Sequence, residues 1–270
     1  MVSVENLQWA AGFFDGDGCV FVDHRNSLSV IVNQAVTYKA NLDELARMFG
    51  GIVRKRGVPK LPTHNQTYNW KLDGKKAIAF CKQIEPHALL KRPQVLLGAS
   101  HRVEDKIGAG KTVREMKRLV HAQITAHLSP PYTAGFLDAD GCLRVNCGLK
   151  VGCGVSISAA QKHPAILHAL AEVYKGSVAQ EKRAKAGWQW RVSGDSARHC
   201  LRESLPFFVG KRPQAELLAT LNRENRLEVK AKITALKMRK KGVPVEEESK
   251  ADFSPPELKM CCFPASSPLR

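Results

Sequence analysis

Hydrophobic positions along this chain change their period in a fixed order, and the order occurs twice. An apolar and small-residue stretch, WAAGFF at 9–14, ends abruptly on acids and glycine. CVFVDHRNSLSVIVNQ (19–34) then alternates at period two with β-branched residues, which predicts a hairpin of strands. LDELARMFGG (42–51) shifts to helical spacing and stops at glycine. A second strand pair follows in IVRKRG (52–57) and TYNWKLDG (67–74), and KKAIAFCKQI (75–84) reads as a helix again. Beyond residue 140 the same succession returns in CLRVNCGLKVGCGVSIS, ILHALAEVYKG, SVAQEKRAKAGWQWRVSG and SARHCLRESL. Each stretch predicts helix, two strands, helix, two strands, helix, an α+β class.

The duplication is also literal. WAAGFFDGDGCV at 9–20 reappears as YTAGFLDADGCL at 132–143, placing Asp17 and Asp140 123 residues apart. LLKRPQVLL at 89–97 reappears as VGKRPQAEL at 209–217, with Lys91 and Lys211 120 residues apart. Two motifs in one order at nearly equal offsets indicate a tandem repeat whose loops have gained and lost residues. The first half is read as 1–127, a short linker as 128–131, the second half as 132–242. At the seam Ser129 supplies an N-cap, and Pro130 and Pro131 suit a first helical turn. Residues 243–270, with an acidic EEES run, prolines and a Cys-Cys pair, are expected to be a disordered tail.

Composition narrows the class. A length of 270 residues suits one large domain or two modest ones with real cores. A formal charge of +17 and a pI near 9.7 predict attraction to a polyanion, with a basic protein of a nucleoprotein particle as the plainer reading. No apolar run approaches about 18 residues, which argues against a membrane span. MVSVENLQWAAGFF carries Glu5 before any Lys or Arg and reads as neither a secretory nor a transit segment. The eight cysteines lack CxxC spacing, so a zinc site and a disulfide framework are both unexpected, and they read as core thiols.

The chemistry concentrates at the repeated helix end. Gly12 and Gly16, like Gly135 and Ala139, are four apart and let two helix backbones approach closely. Phe13, Phe14, Phe136 and Leu137 then point into their own half-cores. An ordinary amphipathic helix with a glycine C-cap explains Gly18 and Gly141 but not the acids. Asp15, Asp17, Asp138 and Asp140 sit at C-terminal ends, where the macrodipole disfavours each carboxylate by roughly 0.3–1 kcal/mol. Bringing both pairs together adds like-charge repulsion, so the arrangement wants a cation. Oxygen-only donors suit Mg²⁺ rather than zinc. An EF-hand begins similarly, but its twelfth loop position here is Asn26 or Leu149 instead of glutamate.

WAAGFFDGDG and YTAGFLDADG resemble the LAGLIDADG motif of homing endonucleases, and the similarity runs over about residues 5–240. That resemblance implies a pseudo-two-fold pair of αββαββα half-domains, meeting through the motif helices, with antiparallel sheets forming a saddle on double-stranded DNA. It implies one monomeric chain that cleaves both strands of a long target, leaving short 3′ overhangs, with Mg²⁺ or Mn²⁺ as cofactor. Asp17 and Asp140 are the implied catalytic metal ligands, with the backbone carbonyls of Gly16 and Ala139 beside them, while Asp15 and Asp138 serve structure. A catalytic glutamine falls on Gln34; its partner is Gln161, although ungapped counting from Gly176 points to Ala159 or Ala160. The catalytic lysines fall on Lys91 and Lys211, which also stand where KRPQ starts a surface helix.

The remaining expectations concern the sheets and the setting. Alternation places Phe21, Asp23, Arg25, Arg144 and Asn146 on the DNA face, beside Cys19 and Cys142. Later strands add Arg54, Arg56, Asn69, Lys71, Lys182, Gln189 and Arg191, types suited to reading base edges. Val20, Val22, Trp70, Leu143, Val145 and Trp190 take the core side. The basic helix RLEVKAKITALKMRKKG is expected to touch phosphates or water. The resemblance also implies an organellar setting, chloroplast or mitochondrion, and leaves an RNA maturase or a non-cleaving DNA-binding regulator as the alternative.

Overall fold

The computed structural model describes residues 2–23, 26–57, 65–101, 115, 124, 128–148, 152–181 and 187–237. The first repeat folds as α1 (Val4–Asp17), β1 (Gly18–Val22), β2 (Leu28–Ala35), α2 (Lys39–Phe49), β3 (Ile52–Lys55), β4 (Thr67–Asp73), α3 (Gly74–Ile84) and α4 (Arg92–Ser100). The second folds as α5 (Pro130–Asp140), β5 (Gly141–Gly148), β6 (Gly152–Gln161), α6 (Ala165–Tyr174), β7 (Ser177–Gln180), β8 (Trp188–Ser193), α7 (Gly194–Ser204), α8 (Arg212–Ala219) and α9 (Arg226–Lys237). The expected succession is present in both halves, and each KRPQ segment opens a further helix. The tail expected at 243–270 lies outside the described residues. Among the described residues no helix is long and apolar enough to cross a membrane.

Each half carries one antiparallel four-stranded sheet, ordered β1-β2-β4-β3 and β5-β6-β8-β7. Period two sorts their side chains as expected. Val20, Val30, Val32, Trp70 and Leu72 are buried in one sheet, and Leu143, Val145, Val155, Ile157, Trp190 and Val192 in the other. Helices pack on that apolar face, and the opposite face of each sheet, open among the described residues, carries the polar positions. Both motif helices begin on serine caps, Ser3 accepting from the Asn6 N–H and Ser129 from the Tyr132 N–H, each at 3.3 Å. Pro130 already belongs to α5, its fixed φ suiting the first turn.

Register explains the uneven offsets. Gly18 pairs with Val32 across the first hairpin, and Gly141 pairs with Ala159 across the second. The second hairpin is therefore four residues longer, so Gln161 and not Ala159 or Ala160 is the counterpart of Gln34.

Some expectations change. Gly18 and Gly141 leave their helices in extended conformations, with φ of −74° and −76°, so no left-handed cap requires glycine there. Space requires it: a Cβ would lie 2.2 Å from the Phe14 ring at Gly18 and 2.4 Å from the Leu137 carbonyl oxygen at Gly141. Among the described residues the cysteines are not all core thiols. Cys81 and Cys200 are buried, and burial pushes each thiol up to about 12. Cys19 and Cys142 are only partly covered, and Cys147 is in a disulfide. Helix α9 is anchored rather than merely solvated, since Val229 and Ile233 are buried and Lys237 Nζ donates to the Leu143 carbonyl.

The helix-to-strand turns are pseudo-symmetric in backbone but not in sequence. Trp70 Nε1 donates to the Gly50 carbonyl and Trp190 Nε1 to the Lys175 carbonyl, both at 2.8 Å. Gly50 stands at φ 70°, ψ −153°, and Lys175 at φ 63°, ψ −161°, a region essentially reserved for glycine, where a side chain costs about 1–3 kcal/mol. Lys175→Gly is expected to raise the unfolding free energy by about 1 kcal/mol and Tm by about 2–4 °C. Gly50→Lys is expected to lower both by similar amounts in the same thermal melt. Unchanged midpoints in both variants would show that these turns carry no strain.

Candidate active site

Helices α1 and α5 lie side by side. A Cβ on Gly12 would lie 2.1 Å from the Tyr132 carbonyl oxygen, one on Gly135 2.0 Å from the Trp9 carbonyl oxygen, and one on Gly16 2.3 Å from Ala139 Cβ. The pairing of 12 with 132 and of 16 with 139 makes the helices parallel, so both negative C-terminal ends meet.

The two acids of each motif separate by environment. Asp15 and Asp138 are fully buried and hydrogen-bonded. Asp15 accepts from the backbone N–H groups of Leu89, Leu90 and Lys91 at 2.7–2.9 Å and from the Tyr132 hydroxyl at 2.6 Å. Asp138 accepts from the Val209 and Lys211 N–H groups at 2.8 and 2.7 Å and from Trp9 Nε1 at 3.0 Å. Each first acid thus fastens the loop before its own KRPQ helix while an aromatic of the opposite motif helix crosses the interface to reach it. The structural role expected of both is present. Trp9 and Tyr132, not singled out from sequence, occupy the same motif position, which is the signal that could have revealed them.

Asp17 and Asp140 stay partly exposed. Gln34 Nε2 donates to Asp17, and Gln161 Nε2 to Asp140, in matching geometry. Both glutamines lie on the helix-packed side at the ends of their strands, not on the open face. Burial raises both carboxyls, that of Asp140 to about 6, with the neighbouring Asp17 charge adding to the rise. Lys91 and Lys211 pull in the opposite direction.

The lysines are placed differently from a simple phosphate ligand. Lys91 Nζ donates to the carbonyls of Phe14, Gly16 and Gly18 at 3.0, 2.7 and 2.7 Å. Lys211 Nζ donates to those of Leu137, Asp138 and Ala139 at 2.7, 2.6 and 3.2 Å. Three carbonyl acceptors require three N–H groups, so both amines are ammonium ions, although burial lowers their pKa. They cap the exposed carbonyls of the motif helices, including those of Gly16 and Ala139. A carbonyl oxygen retains a second lone pair, which leaves both able to bind a cation.

All eight residues expected at the centre are therefore assembled at one place. Four carboxylates face two ammonium groups there, a formal excess of two negative charges. Among the described residues no group of three or more His, Cys, Asp or Glu is arranged for a metal. The available donors are two carboxylates and backbone carbonyls, a hard oxygen set that fits Mg²⁺ or Mn²⁺.

On the open sheet faces, register groups Phe21, Lys71, Asn69 and Arg54 on one side of the first sheet, and Arg144, Asn146, Gln189 and Arg191 on one side of the second. Arg56 follows β3 and donates to Asn33 Oδ1 at 3.4 Å. Asp23 falls in the hairpin turn, where its carboxylate accepts from the Ser27 N–H at 2.9 Å, so it belongs to the turn and not to the strand face. Arg25 and Lys182 lie outside the described residues. Asn33 and Ser158 were missed from sequence; both share these faces, and Ser158 accepts from Arg144 at 2.7 Å. Their signal was present in the alternation of the second strand of each hairpin.

The sequence matches no protein-family model and no curated protein. The fold does have relatives: it is that of the LAGLIDADG homing endonucleases. It is similar to the LAGLIDADG meganuclease I-AabMI bound to uncleaved DNA (TM-score 0.58, 15% identity, covering 86% of this chain and 98% of that one). It is also similar to I-SmaMI bound to uncleaved DNA in the presence of calcium ions (0.56, 15%, 86% and 97%). A third is the homing endonuclease I-GzeII in complex with its DNA target (0.56, 12%, 88% and 99%).

Asp140 sets a pH dependence. Between its ordinary value of 3.8 and about 6 the folded state holds a proton that the unfolded chain has lost. Stability of the metal-free chain therefore falls as pH rises through that window, and the penalty is complete above it. Asp140→Asn is expected to be about 2 kcal/mol more stable than the parent chain at pH 7.5 and no more stable at pH 4. Urea unfolding with a chelator present measures this, and equal stability at pH 7.5 would contradict the electrostatic description.

Proposed function

We propose that this chain is a site-specific DNA endonuclease of the LAGLIDADG homing type, cutting both strands of a double-stranded target as a monomer. The observation that carries this reading is the pair Asp17 and Asp140, each bonded by a matching glutamine, at the junction of two close-packed parallel helix ends. The fold shared with DNA-bound meganucleases supports it, as do the net charge and the polar, basic sheet faces. Both last acids of the motifs are present, which favours cleavage over a maturase or a binding-only regulator.

A divalent cation held by Asp17, Asp140 and the Gly16 and Ala139 carbonyls would activate water and offset charge on the scissile phosphate. Gln34 and Gln161 fix the carboxylate rotamers, directing the remaining lone pairs into the junction. In the ground state Lys91 and Lys211 keep the helix ends together and supply positive field beside the acids. Arg54, Asn69, Lys71, Arg144, Asn146, Gln189 and Arg191 read base edges or hold phosphates from the sheets.

Selection of cleaved sites from a randomised DNA library with Mg²⁺ provides the substrate for the test. On that substrate Asp17→Asn and Asp140→Asn are expected to lose double-strand cleavage by at least about a hundredfold while a gel shift still shows binding. Ca²⁺ is expected to support binding with little cutting, because its looser coordination suits in-line displacement poorly. Full cleavage by either variant would remove the catalytic assignment.

A further inference from the structure

Lys91 and Lys211 are equivalent in sequence but stand in different surroundings. Lys211 is only 4% exposed, and its Nζ lies 5.0 Å from the centre of the Tyr38 ring. Tyr38 belongs to the other half, on the short 3₁₀ turn Val36–Tyr38 that leads into α2. Two further contacts join this turn and the start of α2 to the second half. The Tyr38 hydroxyl accepts from Gln214 Nε2 at 3.4 Å, and the Gly210 N–H donates to Asn41 Oδ1 at 2.7 Å. The KRPQ loop of the second half is thus clamped against the start of α2, with an aromatic face over its ammonium.

The counterpart arrangement is open. Helices α2 and α6 end alike, at Gly51 with φ 93° and Gly176 with φ 96°, and counting back from them matches Tyr38 with His163. Gln94 matches Gln214 through KRPQ. Lys91, Gln94, Gln161, His163 and Cys19 line a cavity of about 280 Å³. The ring that faces Lys91 is Phe14 of its own half, 6.0 Å from Nζ.

We infer that Tyr38 is a positioning residue that locks Lys211 onto its helix-end carbonyls, and that Lys91, which among the described residues has no ring of the other half over it, is the lysine able to swing out to a DNA phosphate. This deepens the endonuclease reading and rests on it. A desolvated cation over an aromatic face is held tightly, and the same face blocks the route by which the ammonium would leave. Lys91 has an exit into the cavity. The two half-sites are then unequal by construction: one lysine is a fixed charge, the other an exchangeable ligand, and the two strands are cut at different rates.

Two measurements on the full chain test this. The first is acetylation with N-hydroxysuccinimide acetate followed by peptide mass spectrometry, which needs no cleavage. Lys211 is expected to react at least about tenfold more slowly than Lys91, limited by the local opening that exposes it. Tyr38→His is expected to bring Lys211 to the rate of Lys91, Tyr38→Phe to keep it protected, and His163→Tyr to slow Lys91. A thermal melt verifies that each variant is folded. Equal rates in the parent chain, or a Lys211 still protected in folded Tyr38→His, would overturn the assignment. The second is strand-specific end-labelling on the selected DNA. Tyr38→His is expected to slow one strand roughly tenfold more than the other, and to add nothing in a Lys211→Met background. Equal slowing of both strands overturns the positioning role. If the selection returns no cleaved site, the endonuclease reading fails, and the acetylation rates still decide whether Tyr38 locks Lys211.

Discussion

Two helix backbones meet at Gly12 and Gly135 so closely that a Cβ on either would lie 2.1 or 2.0 Å from a carbonyl oxygen of the other helix. Such an approach excludes any side chain, and because the helices run parallel, two sets of helix-end carbonyls and two acid pairs converge. Isolated, that arrangement is electrostatically unfavourable on every count: dipoles aligned, carboxylates crowded, water partly excluded. Its persistence depends on Lys91 and Lys211, whose ammonium groups each bind three helix-end carbonyls. The lysines therefore belong to the architecture of the junction before they belong to any chemistry.

The same junction explains why two acids two residues apart take opposite roles. Asp15 and Asp138 are turned inward, where N–H donors of the following loop and one aromatic of the opposite helix meet their carboxylates. A carboxyl hydrogen-bonded in this way is structural and unavailable to a ligand. Asp17 and Asp140 are turned toward the open junction with one amide donor each, and their pKa values rise because burial outweighs the pull of Lys91 and Lys211, with the Asp17 charge adding to the rise at Asp140. A carboxylate whose charge its surroundings disfavour gains most from a bound cation, which would displace any remaining proton to solvent.

The fold was legible because periodicity and duplication are properties of the chain itself. The motif contrast of WAAGFFDGDG with YTAGFLDADG located both helices, the close stripe and the four acids. Gln161 was ambiguous because hairpin length lies in register, and only the pairing of Gly141 with Ala159 shows the four extra residues. The lysines were found through KRPQ, but their carbonyl partners were not, since helix-end carbonyls have no signature in side-chain pattern. Asp23 shows a related limit: alternation counted through the turn cannot tell where a strand stops and an Asp begins to bind its own loop. Trp9 and Tyr132 were visible as aligned aromatics, but their crossing bonds depend on the interface.

Duplication supplies two copies of a backbone arrangement, and divergence then acts on whatever the backbone tolerates. Where a side chain is bound into the junction, the halves have kept matching chemistry: acid with acid, glutamine with glutamine, lysine with lysine. Trp9 and Tyr132 differ in structure but both present a donor at the same reach. Away from it the constraint loosens. Lys175 takes a conformation that its counterpart Gly50 meets with glycine, and the matching positions Tyr38 and His163, each just before a helix, set a ring over Lys211 in one half and line a cavity beside Lys91 in the other. A symmetric homodimer would have to accept the same residue at both places. Joining the halves in one chain removes that restriction, so the two centres can share their carboxylates across α1 and α5 and still hold their lysines with different freedom.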